Sequence, residues 1–323
     1  MPVLREKLKP ELRELTGLEN VLIFDIYGEN TGTHKDYKSY LWLKDARLAN
    51  SKTVVLITSG NQGQSFNERC ARGQEGYAPE EVIHFVPEDT PKEVIEELEK
   101  FNFSRVMKWR RDEFLDRELI SMLIGKDDFF YAEESFDYQT FNEMLTDMGM
   151  LSYVRDSDYV GVPYGTGDLA VAVIHPRLDV FTSKTKAICI VPKGEHPLSK
   201  TYKKFRSINS LADKLSTNFI SDFNRQITER AIKEGNCCIV EVDNDDIRKA
   251  MEYGKIQEIE AEPSGLVSLS LLDKNLRDRY GLNFQRDSFI TLYITGRYGR
   301  KCEVTYKMYH GIVYADVKRI KEK

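Results

Sequence analysis

Four short segments combine reactive or anion-binding residue types with glycines. The first is ENTGTHKD at 29–36, where Lys35 stands behind a Gly/Thr loop at the start of a helical pattern. A lysine so placed reads as a solvated surface residue, a phosphate ligand or a Schiff-base lysine. The nucleotide-loop spacing GxxxxGK[ST] is absent, because Gly32 lies three residues before Lys35 and Asp36 follows it. The second is TSGNQG at 58–63, between an apolar run and a helical pattern. It is either a plain strand-to-helix turn or an anion site, since a helix opening offers unpaired N–H groups and the positive end of a dipole. The third is VPYGTGDLA at 162–170, whose Gly165, Thr166 and Gly167 form a turn that lets backbone N–H groups approach a phosphate, with a hydroxyl beside them. The fourth is ITGRYGRK at 294–301, with Thr295 at the end of an apolar run and a basic cluster after it.

The elements needed to hold these segments follow from the hydrophobic pattern. A polar helix is expected over 5–18, a strand at 21–26, and a helix over 35–50 with Thr33 as its cap. Strands are expected at 53–58, 82–86 and 105–109, alternating with helices at 64–72, 90–100 and 113–124. Thr90 would cap the second of these and Pro91 would open it. After residue 158 the rhythm resumes with strands at 159–163, 187–191, 237–242 and 289–294, a helical or buried run at 169–174, and a helix over 243–253 capped by Asp243 or Asn244. The last twenty residues read as a strand pair with a charged tail. Such alternation makes an α/β protein with mostly parallel sheets covered by helices.

Bulk composition narrows the function classes. With 323 residues the chain exceeds one ordinary core, and 41% hydrophobic against 31% charged residues is a globular balance. A formal net charge of -5 argues against a general nucleic-acid binder. No apolar run approaches the ~20 residues of a bilayer span, and the charged first residues do not read as a secretory signal. The five cysteines include no CxxC pair, and no His/Cys set has zinc spacing, so a reduced cytoplasm without a metal site is expected.

Together the four segments resemble the fold-type-II pyridoxal-phosphate (PLP) enzymes, the tryptophan-synthase-β and threonine-synthase group. That family carries a motif near E-x-x-N-P-T-G-S-x-K-D. Glu29, Asn30, Thr31, Gly32, Thr33, Lys35 and Asp36 match it in kind, the proline is missing, and His34 precedes the lysine as in tryptophan synthase β chains. Ser59, Gly60, Asn61 and Ser65 match the family's S-G-N-x-x-x-S, and 162–167 is similar to its V-P-x-G-[ST]-G. Thr295 and Arg297 resemble an S-G-R-G-x-K segment, with Tyr298 as an extra residue. AEPSGL at 261–266 echoes a further segment, in which Glu262 caps a helix or approaches the cofactor.

The resemblance implies two open, mostly parallel sheets with a cofactor cleft between domains. A smaller domain would span 38–150, and a larger one 1–37 plus 151–323. It implies Lys35 as the covalent PLP anchor and catalytic base, with Asn61 and Thr295 on the ring and Gly165, Thr166 and Gly167 around the phosphate. Ser59, Gly60, Gln62 and Arg297 would bind an amino-acid substrate. Asp168, where the family often has Gly or Thr, is expected to turn away and cap the next helix. The implied activity is threonine-synthase-like elimination and replacement on phosphohomoserine, in a cytoplasmic homodimer. Cysteine-synthase-like replacement on a serine derivative stays open. So does a non-catalytic sensor or partner subunit, given the missing proline, Asp168 and Tyr298.

Overall fold

In the computed structural model the described residues are 3–26, 35–73, 76–134, 145, 154, 156–179, 185–296, 302–309 and 312–319, with side chains described for all of these but 3–5, 176–179, 302–309 and 312–319. The segment 27–34, with Glu29 to His34 and the expected cap Thr33, lies outside them. So does 297–301, with Arg297, Tyr298, Arg300 and Lys301.

The chain divides into two units. One comprises Met1–His34, Phe141–Lys203 and Ile208–Lys323; the other comprises Lys35–Thr140 with Lys204–Ser207. The first unit carries a six-stranded sheet in the order β1-β2-β10-β7-β8-β9. Its strands are β1 (Val3–Lys7), β2 (Val21–Ile26), β7 (Tyr159–Pro163), β8 (Lys186–Pro192), β9 (Cys237–Val242) and β10 (Ile290–Ile294). All neighbours pair in parallel except β1, which runs antiparallel to β2 at the edge. The near-continuous apolar runs AICIV and ITLYI are what strands buried on both faces require, and every residue of β10 is buried. The core joins Ile188, Ile190, Val240, Ile290 and Leu292 to Leu8 and Leu12 and to helical Ile247, Leu269 and Leu271. The tail forms the expected strand pair, β11 (Cys302–Tyr309) antiparallel to β12 (Ile312–Arg319).

The other unit has a four-stranded, fully parallel sheet in the order β5-β4-β3-β6. Its strands are β3 (Thr53–Ile57), β4 (Glu81–Pro87), β5 (Ser104–Trp109) and β6 (Phe130–Tyr131). Helices α2 (Lys35–Leu48), α3 (Asn61–Ala71), α4 (Lys92–Glu99) and α5 (Arg117–Ile124) belong to it. Trp42, Leu43 and Ala46 from α2 and Phe66 and Cys70 from α3 pack on Val54, Leu56 and Val82.

The sequence expectations need four adjustments. Residues 5–18 are not one helix, because Pro10 can only open one: Val3–Lys7 is an edge strand, and α1 (Pro10–Thr16) begins at that proline and ends at left-handed Gly17. Helix α4 starts one residue later than expected, with Pro91 rather than Thr90 at its cap. Helix α5 starts at Arg117, because the Asp116 carboxylate accepts from the Leu119 N–H and fixes the start there. Helix α3 starts at Asn61 rather than residue 64, and this matters for the site. The first unit's further helices are α6 (Asp168–Asp179), α7 (Asp222–Lys233), α8 (Asn244–Ile256), α9 (Pro263–Leu266) and α10 (Lys274–Arg279). Asp243 caps α8 in a reciprocal capping box with Asp246.

Candidate active site

In the second unit, Lys35 is the first residue of α2 and is half-buried. Asn61 and Gln62 are the first two residues of α3, which follows β3 through 58–60. Gly60 makes this connection possible: at φ 130 and ψ -76 it occupies a conformation that a residue with a Cβ avoids. No side chain at Gly60 can cap the helix, and Thr58 takes over that task. Its Oγ1 accepts from the Gly60 N–H at 3.0 Å and the Gly63 N–H at 3.1 Å. The Gln62 N–H, between them, has no acceptor among the described residues. A carboxylate arriving at this helix opening would meet that amide and the helix dipole.

The Gln62 side chain is engaged elsewhere. It is buried, donates to Ser39 Oγ at 2.6 Å and lies 3.4 Å from the Lys35 carbonyl oxygen. Arg69, further along α3, donates to the Asp36 carbonyl at 2.9 Å. Two side chains of α3 thus hold the first turn of α2, the turn that carries Lys35. Gln62 was expected as a substrate ligand. Its side-chain nitrogen contacts the Lys35 turn, which leaves its backbone N–H for an anion at the helix opening.

Beneath α3, His84 on β4 is fully buried and bonds Asn67 Oδ1 at 3.0 Å. Burial pulls its pKa down from 6.5 to about 3. A Cβ on Gly63 would lie 2.8–2.9 Å from Leu98, His84 and Thr58, so α3 sits on the sheet at a distance only glycine allows.

In the first unit, β7 ends at Pro163 and α6 starts at Asp168, with Gly165, Thr166 and Gly167 between them. The Gly165 carbonyl accepts from His196 Nε2 at 2.8 Å, and the Thr166 carbonyl from Asn224 Nδ2 at 3.1 Å. Gly167 has φ +106, and a Cβ there would stand 2.6 Å from the hydroxyl of Tyr164. Tyr164 is itself fully buried and bonds Thr228 Oγ1 at 3.0 Å. The amides of Thr166 and Gly167 have no acceptor among the described residues. Adjacent unsatisfied N–H groups at a helix opening suit a phosphate monoester, so these residues fit a phosphorylated group.

Asp168 opens α6 rather than capping it. Its carboxylate accepts from Asn224 Nδ2 at 2.8 Å and from the Thr166 hydroxyl at 3.1 Å. The Thr166 proton is therefore committed to Asp168 in this arrangement, which leaves the backbone to hold an anion.

Thr295 is buried and directly follows β10. Strands β10 and β7 are parallel neighbours with Leu292 opposite Gly161, so Thr295 and the 165–167 turn leave the same sheet edge side by side. Ligands of open α/β sheets bind at such carboxyl ends. Glu262 occupies the cap position of α9 without a side-chain cap bond; its backbone N–H donates to the Gly296 carbonyl at 3.0 Å. A Cβ on Gly265 would lie 2.7 Å from the Gly296 backbone, so the two glycines permit a close backbone approach beside Thr295.

His196 and Asn224 escaped sequence reasoning. His196 sits in VPKGEHPL, a segment that carries no reactive pattern. Asn224 is 58 positions from Thr166 and interior to a helix capped by Ser221. Thr58 was visible, as the first letter of TSGNQG, but its capping role needed the φ of Gly60.

One unit presents a lysine on a helical first turn, and the other, taken by itself, a strand-end turn with unsatisfied amides; each is a feature that an α/β enzyme using a phosphorylated group would need. The chain belongs to the pyridoxal-phosphate dependent enzyme family, whose model matches residues 9–296. Its cofactor is pyridoxal phosphate. No curated protein sequence matches the chain. Among solved structures, serine racemase from Dictyostelium discoideum is 21% identical, with a TM-score of 0.63 over 92% of this chain and 91% of that one. Maize serine racemase is 18% identical, at 0.65 over 92% and 88%. A fungal L-serine ammonia-lyase from Rhizomucor miehei is 15% identical, at 0.68 over 92% and 93%. At these identities the likeness shows the fold.

Proposed function

We propose that this enzyme carries out elimination or replacement at Cβ or Cγ of an amino acid, with threonine-synthase-like conversion of phosphohomoserine as the specific reaction. Lys35 is the covalent anchor, Asn61 and Thr295 contact the ring, and Gly165, Thr166 and Gly167 receive the phosphate. Ser59, Gly60, the Gln62 backbone N–H and Arg297 bind substrate. Pyridoxal phosphate, when bound, supplies an electron-withdrawing ring that accepts the electron pair left at Cα as a proton departs.

On this reading the Lys35 Nζ would take the Cα proton as general base. The helix opening at Gln62 holds the substrate carboxylate and so fixes which Cα bond faces Lys35. The observation that carries the reading is the neutral hydroxyl residue at the end of β10, where an acid would be needed to keep the ring nitrogen protonated. With Thr295 there the electron sink is weaker. That suits reactions in which a leaving group drains charge from Cα, and suits transamination less.

A second reading comes from solved structures that share the fold, among them serine racemases and a serine ammonia-lyase. On that reading the leaving group is hydroxide from serine or threonine. The two separate in a product screen with phosphohomoserine, phosphoserine, acetylserine, serine and threonine. Phosphate release with threonine formation supports the first; keto acid and ammonia from serine, with phosphohomoserine inert, sinks it. Wild-type protein should be yellow and fixed by borohydride. Lys35→Ala should lose that covalent capture and at least about a hundredfold in turnover. The proposal includes a cytoplasmic homodimer, which light scattering on the loaded protein tests.

A further inference from the structure

We propose that His196 and Asn224 are positioning residues that aim the phosphate-binding amides by fixing two consecutive peptide planes. This rests on the reading that the 165–167 turn receives the cofactor phosphate. A trans peptide is planar, and its C=O and N–H point in opposite directions; the described residues contain no cis peptide. The plane that carries the Gly165 carbonyl also carries the Thr166 N–H. The next plane carries the Thr166 carbonyl and the Gly167 N–H. His196 Nε2 holds the first carbonyl at 2.8 Å, and Asn224 Nδ2 holds the second at 3.1 Å. Both N–H groups are thereby turned away from the side chains that grip their planes. Two successive amides directed outward form the concave donor pair that anions occupy.

Each gripping side chain is itself held in one orientation. His196 is fully buried, and its Nδ1 accepts from the Leu198 N–H at 3.1 Å. The ring proton must then lie on Nε2, facing Gly165, so the imidazole is a neutral donor in a single tautomer. Its ring meets Tyr164 edge-on at 5.2 Å, and Tyr164 in turn supports Gly167 from below. Asn224 is 3% exposed, and its backbone N–H donates to the Ser221 hydroxyl that caps α7. The same Asn224 nitrogen reaches Asp168 Oδ1 at 2.8 Å, drawing that carboxylate toward α7. The two residues lie 28 positions apart in the sequence yet serve adjacent carbonyls.

The test compares two probes on the full-length apoprotein: pyridoxal phosphate, and pyridoxal, which lacks the phosphate. Affinities are read by absorbance and fluorescence titration, beside thermal melts of each apoprotein. His196→Met keeps bulk but has no N–H donor, and Asn224→Ala removes the second grip. Each is expected to weaken pyridoxal phosphate about tenfold or more while leaving pyridoxal affinity within twofold. His196→Gln, which restores a donor, is expected to recover most of the loss. Equal weakening of both probes, or no weakening of either, overturns the positioning role. If His196→Met does not fold, Asn224→Ala decides by the same ratio. Wild-type protein that binds pyridoxal phosphate no better than pyridoxal overturns the phosphate reading itself, which the variants alone would not do.

Discussion

At the scale of single residues, the site depends on atoms that are missing as much as on those present. Gly167 has positive φ and no room for a Cβ above the Tyr164 ring. Gly167→Ala must therefore shift the turn or displace a buried tyrosine, and is expected to weaken cofactor binding at least tenfold, an effect read by equilibrium dialysis of the cofactor. Gln62 makes a different prediction. Because its amide joins Ser39 and the Lys35 carbonyl, Gln62→Ala should lower kcat more than it raises KM for the amino acid. A substrate-binding side chain would show the reverse, so steady-state kinetics on the two parameters separates the roles.

At the scale of elements, α3 illustrates a helix whose cap comes from outside its own start. Gly60 supplies the turn and Thr58 the oxygen. Thr58→Val keeps the shape and removes that acceptor, so two N–H groups lose their partner. The expected cost is about 1 kcal/mol in chemical denaturation, together with a weaker response to substrate carboxylate at the same helix opening. Pattern reading found most strands here because buried parallel strands are continuous apolar runs, and the elements at Cys237–Val242 and Val21–Ile26 match the expected limits. It misplaced the starts of α1, α3, α4 and α5. Helix starts are set by which side chain reaches the first N–H groups, a contact in space that hydrophobic periodicity does not encode.

For the molecule as a whole, each unit stores a buried neutral histidine. Desolvation holds His196 at about 4, with the charge of Arg225 adding to it, and His84 at about 3, against an ordinary 6.5. The unfolded chain binds these protons first. Their stabilising contribution is therefore complete above pH 6.5 and is lost as pH falls toward 4 for His196 and toward 3 for His84, by several kcal/mol in order of magnitude. Urea midpoints measured from pH 7 to pH 4 should fall steadily, and His84→Gln should flatten the slope. Among the described residues no helix is long and apolar enough to cross a membrane.

The linear chain was enough to announce the α/β alternation, the apolar strands and the motifs around Lys35, Asn61, Gly165 and Thr295, because strand burial and glycine turns leave local signatures. Resemblance in those motifs pointed to pyridoxal phosphate, and the family match over 9–296 bears that out. What had to wait for the folded form were the second partners. His196 and Asn224 reach the carbonyls of 165 and 166 from across long gaps in the chain, and the Gln62 side chain meets Ser39 on α2. Hydrogen bonds between distant segments depend on where backbones come to rest, and no window of neighbouring letters contains that distance.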